Sequence, residues 1–193
     1  MDKYVAVGCS LVVGFVALAM IFSYGKKRAN HVYAEGKEPA PSIRSFSRLS
    51  KVLFTGNMVL TLVSFWVNVV SLHQNAALKI AGTSMVLIGF LCLRRAFSAL
   101  AGNYSPMFDA YIPQSIQTQG IYAWIRHPIY SFNLLISAGL SLASGSVVVI
   151  VSAFIGFLFV MRAVRAEEQY LPKAFPEYAA YAKQTWKLIP FIY

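Results

Sequence analysis

The sequence is poor in charged residues and above all in acidic ones. Only 12% of its 193 residues are charged, and seven are Asp or Glu against 17 that are Lys or Arg. A soluble domain carries about 25% charged residues, so this composition, with 58% hydrophobic residues, excludes an ordinary soluble domain. A helical bundle in lipid satisfies so much apolar backbone internally. The sequence therefore predicts one integral membrane domain over residues 1–193.

Residues that bind metals or act as nucleophiles are few and scattered. The two cysteines, Cys9 and Cys92, lie inside separate apolar runs, and no CxxC pair is present. The three histidines are far apart in the sequence, and none shows metal-ligand spacing or belongs to a Ser-His-Asp set. We therefore expect no metal. The net charge of +10 could suggest a nucleic-acid partner. The basic residues gather at the ends of apolar runs, however, as they do in membrane proteins, so we expect none.

Stretches without any charge predict the spanning helices. Residues 4–24 would form a helix of about 31 Å, enough to cross a hydrocarbon core of about 30 Å. The basic run that follows favours a retained helix over a cleaved signal peptide. Residues 52–78 are also free of charge and predict a second helix, which should leave the bilayer at residues 73–75. The third run, residues 80–93, is short, so we expect its helix to continue to Leu100 and Lys79 to snorkel.

The last charge-free stretch is too long for one helix. Residues 127–161 contain no Asp, Glu, Lys or Arg and would span about 52 Å as a single helix. The small residues at 143–146 are the natural turn, so two short helices should form a hairpin there. The predicted fold is therefore an all-α membrane protein with five transmembrane helices, three of them within residues 1–101. Residues 102–193 would form the catalytic part.

The distribution of basic residues predicts the orientation. Two of the 17, Lys3 and Lys79, fall on one side of this arrangement, and the other 15 fall in the long loops, at the helix ends beside them or after the last helix. Because Lys and Arg are enriched on the cytosolic side of membrane proteins, we expect the N-terminus outside and the C-terminus and active site in the cytosol.

Two polar segments at the cytosolic side carry the residues of chemical interest. Residues 103–126 form a long loop of mixed polarity, and loops of this length are typically functional. The loop runs into T-Q-G-I-Y-A-W-I-R-H-P-I-Y at 118–130, where the hairpin begins. After the hairpin come Glu167-Glu168 and an aromatic segment at 175–181. Together these two segments would form one cytosolic region.

This combination resembles the isoprenylcysteine carboxyl methyltransferase family. The shared features are the R-H-P-x-Y string, its upstream T-x-G-x-Y spacing, and the glutamate pair with aromatic residues after the last helix. The resemblance covers roughly residues 95–193. It implies S-adenosyl-L-methionine as cofactor, S-adenosyl-L-homocysteine as product, and a lipophilic acceptor that arrives from the bilayer. The acceptor group would be the carboxylate of a prenylated cysteine or a similar isoprenoid acid.

The resemblance also implies cofactor-binding residues. Pro128 suits the first turn of a helix, whose free amides can bind the methionine carboxylate. The Glu167 carboxylate suits ribose hydroxyls or the cationic end of the cofactor, whereas Glu168 has a salt-bridge partner in Arg165 at helical spacing. The tyrosines could equally form an interfacial belt. The expected cofactor-binding residues are Gln114, Ile116, Gln117, Gly120, Tyr122, His127, Pro128, Tyr130, Glu167 and Tyr178.

Arg162 and Glu167 are the expected catalytic residues. Arg162 stands at the membrane boundary, where its guanidinium could hold the acceptor carboxylate or could simply snorkel. A carboxylate acceptor needs no general base. The alternative function is a phospholipid N-methyltransferase, whose amine acceptor would need a base such as Glu167 or Tyr130. A small channel or transporter is a remote third reading, because the spans lack midplane charges.

Overall fold

The computed structural model describes residues 3–27, 41–67, 70–73, 75–100 and 115–192 of the chain. Helices dominate this part, and it contains no strand beyond two isolated backbone bridges, which confirms the predicted all-α class. The elements in chain order are α1 (Lys3–Lys27), α2 (Pro41–Ser64), α3 (Ala76–Leu100), a 3-10 turn (Gly120–Ala123), α4 (Pro128–Ser144), α5 (Val147–Ala174) and α6 (Tyr178–Gln184).

The helices are long and apolar enough for a multi-pass membrane protein. Among the described residues three segments could each cross a bilayer, namely Lys3–Ile21, Ala76–Leu100 and Val147–Ala174. Two shorter apolar helices accompany them, Val52–Ser64 and Pro128–Ser144. The shorter of these rises only about 20 Å at 1.5 Å per residue. Five complete crossings therefore stay a prediction.

The predicted bounds of the second helix are wrong. α2 begins at Pro41 and already ends at Ser64. The connection that follows lies against the turn between α4 and α5, where the Leu72 amide donates to the Gly145 carbonyl at 2.8 Å and the Val147 amide donates to the Val70 carbonyl at 3.1 Å. A run without charges cannot distinguish a helix from an apolar connection whose backbone bonds to another segment.

Lys79 does not snorkel, contrary to the prediction. α3 begins at Ala76 and, as predicted, continues to Leu100, so Lys79 lies in its first turn. The side chain is fully buried, and its Nζ lies 5.8 Å from the centroid of the Phe65 ring. A cation–π contact of this kind stabilises a desolvated ammonium. The helix break after Ser64, invisible in the hydropathy, puts Phe65 over the lysine.

The predicted hairpin is confirmed at residues 143–146. α4 ends at Ser144, Gly145 adopts the left-handed conformation with φ of 61°, and α5 begins at Val147. Trp66 Nε1 donates to Ser10 Oγ at 3.1 Å, which brings the start of α1 to the same end as the residue 65–73 connection. We refer to this end as the far end. The site end is the opposite one, where α3 and α5 finish and α4 starts.

Backbone-to-backbone contact between α3 and α4 positions the start of α4. A Cβ added at Gly82 would lie 2.4 Å from the Ala143 nitrogen and 2.5 Å from the Gly139 oxygen, and one at Gly139 would lie 2.7 Å from the Gly82 oxygen. Small residues that permit such close approach are typical of packed membrane helices. The two helices therefore form a rigid unit that carries the R-H-P-x-Y string at its site end.

Gly82→Ala is expected to destabilise the protein by about 1–3 kcal/mol, because the new methyl group would collide with backbone atoms that cannot move aside. The matched control is Gly156→Ala in α5, where an added Cβ meets nothing within 4 Å. Thermal unfolding of both purified variants in the same detergent measures the difference. Equal midpoints for the two variants would contradict the close packing of α3 on α4.

Candidate active site

The R-H-P-x-Y string is held between the 3-10 turn and the segment that follows α6. The Arg126 amide donates to the Trp186 carbonyl at 2.8 Å, and the His127 amide donates to the Lys187 carbonyl at 3.1 Å. The Trp186 amide in turn donates to the Trp124 carbonyl at 2.9 Å. These bonds fix the backbone on which the Arg126 and His127 side chains sit.

Both glutamates enter the site from the end of α5. Ala163 and Val164, one turn earlier, are buried. Residues four apart share a helix face, so the packed face of α5 carries Glu167 and Glu168 toward the start of α4. Pro172 lies inside the last turn of α5, which ends at Ala174.

His127 bridges the two carboxylates. Its Nδ1 lies 3.1 Å from Glu167 Oε2, and its Nε2 lies 2.8 Å from Glu168 Oε1. Ionised carboxylates only accept hydrogen bonds, so this geometry fits a ring that carries a proton on both nitrogens. Burial lowers the pKa of His127, but the hydrogen bonds and charges of Glu167 and Glu168 outweigh it and raise the pKa above its usual value. His127 therefore has no free nitrogen that could accept a proton.

Glu168 pairs with Arg126, not with Arg165 as the spacing predicted. Its Oε1 accepts from Arg126 Nε at 3.1 Å and its Oε2 from Arg126 Nη2 at 3.2 Å, a bidentate ion pair. Oε1 also accepts from the Tyr178 hydroxyl at 2.5 Å and from His127. A carboxylate has about four acceptor positions, and four donors contact Glu168, three at Oε1 and one at Oε2, so Glu168 is saturated by number. Helical spacing identifies only local partners, and Arg165 is exposed.

Glu167 keeps acceptor capacity. Its Oε1 accepts from the Tyr130 hydroxyl at 2.7 Å and its Oε2 contacts His127, which occupies two of about four acceptor positions. Its side chain is 18% exposed and that of Glu168 17%, so the two carboxylates differ in their number of donors and not in their exposure. Within this cluster Glu167 is therefore the carboxylate that can receive further hydrogen bonds.

Arg126 connects the cluster to the residues after α5. Its Nη1 donates to the Ala182 carbonyl at 2.9 Å and to the Thr185 carbonyl. Burial and the hydrogen bond to Glu168 raise the pKa of the Tyr178 hydroxyl, so Tyr178 stays a donor. Burial likewise raises the pKa of Tyr181 to about 12. Arg126 thus ties α5, α6 and the start of α4 into one ion-pair cluster, which consists of Arg126, His127, Tyr130, Glu167, Glu168 and Tyr178.

The loop residues named from the sequence lie beside the cluster but outside it. Gln117 Nε2 donates to the Ala99 carbonyl at 2.7 Å, and the Tyr122 hydroxyl donates to the Ala96 carbonyl at 3.4 Å, so both attach the loop to α3. Gly120 opens the 3-10 turn with φ of 64°, and Ile116 is half-buried. Gln114 lies outside the described residues.

Pro128 lies at the start of α4 beside the cluster, whereas Arg162 lies on an exposed face of α5. Pro128 starts α4, and no side chain caps the helix among the described residues. Arg162 is exposed on α5, five residues before Glu167, so it lies about 140° around the helix at 3.6 residues per turn. The structure does not bring Arg162 to the cluster. Its role as an acceptor anchor stays a prediction.

The sequence reasoning missed the roles of Arg126 and Glu168. The signal was present, because two adjacent cationic residues at 126–127 and two adjacent carboxylates at 167–168 balance in charge. Only their separation of about 40 residues hid the pairing. No group of three His, Cys, Asp or Glu side chains suited to a metal ion occurs in the part of the chain that the structure describes.

The raised pKa of His127 predicts a pH-dependent stability. A group whose pKa is higher in the folded state stabilises fully below its unfolded pKa, about 6.5, and loses this contribution as pH rises through the folded pKa. The free energy of unfolding of wild type minus that of His127→Gln should therefore shrink from pH 7 upward. Thermal unfolding across pH 7–10 measures it. Parallel pH profiles would contradict the doubly bonded imidazolium.

The comparison with protein families identifies the class. A sequence model of the phospholipid methyltransferase family matches residues 78–178, more than half of the chain and all of the ion-pair cluster. The chain belongs to this family of membrane methyltransferases. The resemblance seen in the R-H-P-x-Y string and the glutamate pair is thereby confirmed at the level of the family.

Two individual proteins resemble this chain, one over a short stretch of sequence and the other in its fold. The cobalt-zinc-cadmium resistance protein CzcN of Cupriavidus metallidurans is 38% identical over 77 residues, which are 39% of this chain and 36% of that protein. The eukaryotic intramembrane Ras methyltransferase, isoprenylcysteine carboxyl methyltransferase, has a similar structure with a TM-score of 0.55. The alignment covers 81% of this chain and 55% of that one at 20% identity, so the likeness concerns the fold alone.

Proposed function

We propose that this chain transfers a methyl group from S-adenosyl-L-methionine to the carboxylate of a lipophilic acceptor, such as a prenylated cysteine or a similar isoprenoid acid. The observation that carries the proposal is Glu167, a half-buried carboxylate with open acceptor positions beside the uncapped start of α4. Membership in a methyltransferase family supports the reaction class.

The chemistry of the cluster fits the cofactor. Glu167 would accept from the ribose hydroxyls or the ammonium group, and the start of α4, at the Ile129 amide, would donate to the methionine carboxylate. Tyr178, buried and in edge contact with Tyr181 at 5.8 Å, would cover the cofactor. The loop residues Ile116, Gln117, Gly120 and Tyr122, with Gln114, would form the other wall. The bound cofactor supplies a methyl group activated on a sulfonium.

A carboxylate acceptor makes the smaller chemical demand on this site, because it needs no base. A carboxylate oxygen forms its bond to the methyl carbon while the carbon–sulfur bond breaks and its electron pair stays on sulfur, so no proton moves. An amine acceptor must lose a proton and needs a base. Both nitrogens of His127 already contact carboxylates, so the imidazole cannot be that base. Desolvation and alignment are then what the site must supply.

An apolar groove on α2 supports a lipid-side approach of the acceptor. Val52, Thr55, Gly56, Val59 and Leu60 line it along one helix face. α2 ends at the far end, so the start of the groove at Val52 points toward the site end and the finish of α5. We propose that the hydrocarbon chain of the acceptor lies in this groove while its carboxylate reaches the cofactor.

A phospholipid N-methyltransferase is the second candidate. The description of the matching family favours it, and Glu167 or Tyr130 would then take the proton from the amine. The two readings share the cofactor and differ in the acceptor. A carboxyl ester is labile to alkaline hydrolysis, whereas a methylated amine is not, so the product distinguishes them.

The decisive experiment supplies purified protein in nanodiscs with methyl-labelled cofactor and a panel of prenylcysteine analogues, isoprenoid acids and phosphatidylethanolamine. We expect base-labile label on the prenylated or isoprenoid carboxylates and none with Glu167→Ala. Base-stable label on the phospholipid alone would establish the second candidate. No transfer to any acceptor, with intact cofactor binding, would overturn the proposed acceptor class.

We further propose that the site end faces the cytosol. The basic residues among the described positions of the far end are Lys3 and Lys79, and cytosolic ends of membrane proteins are richer in Lys and Arg. A cysteine placed at Leu72, which is 71% exposed in the connection at the far end, should in a Cys-free variant react with impermeant reagents only from outside, and one at Lys183 only from the cytosolic side. The reverse pattern would overturn the orientation.

A further inference from the structure

The segment after α6 runs alongside the start of α4. Trp186 pairs with the backbone around Arg126, and Lys187 pairs with His127. One step further, the Leu188 carbonyl accepts from Ser131 Oγ at 2.6 Å, in the first turn of α4. The segment therefore advances in the same direction as α4, from the ion-pair cluster toward the apolar part of the bundle.

This segment ends in a turn of exposed apolar residues, which is unusual at an aqueous surface. The Ile192 amide donates to the Ile189 carbonyl at 3.1 Å, which closes the turn. Ile189 is 49% exposed, Phe191 78% and Ile192 76%. Turns at an aqueous surface favour Gly, Asn, Asp and Ser. Three large apolar side chains on one turn indicate an apolar environment.

The flanking residues are those of a membrane interface. Trp124 and Trp186 are both exposed next to the turn, and the Trp186 ring lies 5.6 Å from the Phe191 ring. Tryptophan is enriched at the level of the lipid headgroups. Residues 178–193 carry Lys183 and Lys187 and no acidic residue, which suits anionic headgroups.

We propose that the turn Ile189–Ile192 inserts into the boundary between headgroups and acyl chains of the bilayer, beside the start of α4. The turn is then the membrane contact of the segment that holds the active site. The carbonyls of Thr185, Trp186 and Lys187 accept from the side chain of Arg126 and from the backbone of Arg126 and His127. Lipid contact at the turn thus supports the positions of both cations. The inference does not depend on which acceptor is methylated.

Spin labels test the insertion in the full chain. In a Cys9→Ser, Cys92→Ser background, one variant carries a label at Ile192→Cys and a control carries it at Lys183→Cys, exposed on α6. The proteins are reconstituted in nanodiscs of phosphatidylcholine and phosphatidylglycerol. The accessibility to oxygen relative to a water-soluble nickel chelate should be several-fold higher at 192 than at 183. Equal ratios at the two positions would overturn the proposal.

Two further readouts separate the alternatives. Spin–spin broadening at 192 when each nanodisc holds two copies would assign the turn to contact with a second chain and overturn the proposal. A variant that keeps Trp186 alone, made with Trp66→Phe and Trp124→Phe, reports without any label. Lipids brominated near the headgroup should quench Trp186 more than lipids brominated near the chain end. Absence of quenching by both would also overturn the proposal.

Discussion

Replacing Glu167 with alanine is expected to raise the Kd for S-adenosyl-L-methionine about 100-fold or more. A hydrogen bond to a charged group contributes about 1.5–3 kcal/mol, and two such bonds exceed the 2.8 kcal/mol that corresponds to a hundredfold. Glu167 is the member of the cluster that can supply them, because Glu168 is already saturated by Arg126, His127 and Tyr178. Calorimetric titration of the purified protein with the cofactor measures the change.

The control for this loss is Glu177→Ala, which removes an exposed carboxylate just before α6. Its cofactor affinity should match that of wild type. Glu167→Gln keeps the shape of the side chain and its hydrogen bond from Tyr130 but loses the charge, so its affinity should fall between the two. Unchanged affinity in Glu167→Ala would remove Glu167 from the cofactor site. A wild type that binds no cofactor would overturn the proposed function as a whole.

Arg126→Ala should be the most destabilising single substitution in the cluster. The Arg126 and Glu168 side chains are only 6% and 17% exposed, so the pair is shielded from solvent. Removing one partner of a buried pair costs about 3–5 kcal/mol, and Glu168 would keep His127 and Tyr178 but lose its bidentate cation. The thermal midpoint should fall by about 6–20 °C for a chain of this size.

Two variants make this prediction specific. Arg126→Lys keeps the charge but not the planar fork, so it should recover little of the stability. Arg165→Ala removes an exposed arginine from the same helix that carries Glu168 and should leave the midpoint near that of wild type. If Arg126→Ala and Arg165→Ala unfold at the same temperature, the bidentate pair does not hold α5, α6 and the start of α4 together.

The end of a helix could be predicted from the sequence where a local group of small residues marks it. The small residues at 143–146 interrupt a charge-free stretch that is too long to cross the bilayer as one helix, and the turn occurs there. The break after Ser64 has no such mark, since Phe65, Trp66 and Val67 are as apolar as the helix before them. Contact with the Gly145 turn decides that break, and no local pattern reports a distant hydrogen-bond partner.

The candidate site likewise has features that the sequence predicted and features that only the structure showed. The R-H-P-x-Y string and the glutamate pair identified the family and Glu167 as a candidate, because motif and charge are properties of the sequence itself. The assignment of Glu168 to Arg165 failed, because helical spacing ranks neighbours along one helix only. Glu168 instead pairs with Arg126, 42 residues earlier in the chain, through two hydrogen bonds in a buried setting.

The sequence by itself determined that this protein is helical, resides in a membrane and belongs to a methyltransferase family, since hydropathy and short motifs are local and additive. Only the tertiary structure decided which carboxylate is saturated and which is open. That distinction depends on Arg126 and Tyr178 donating to Glu168 and not to Glu167, an arrangement set by the close packing of α3 on α4 and by the segment after α6. Hydrogen bonds between distant segments depend on atomic positions, which only the folded chain defines.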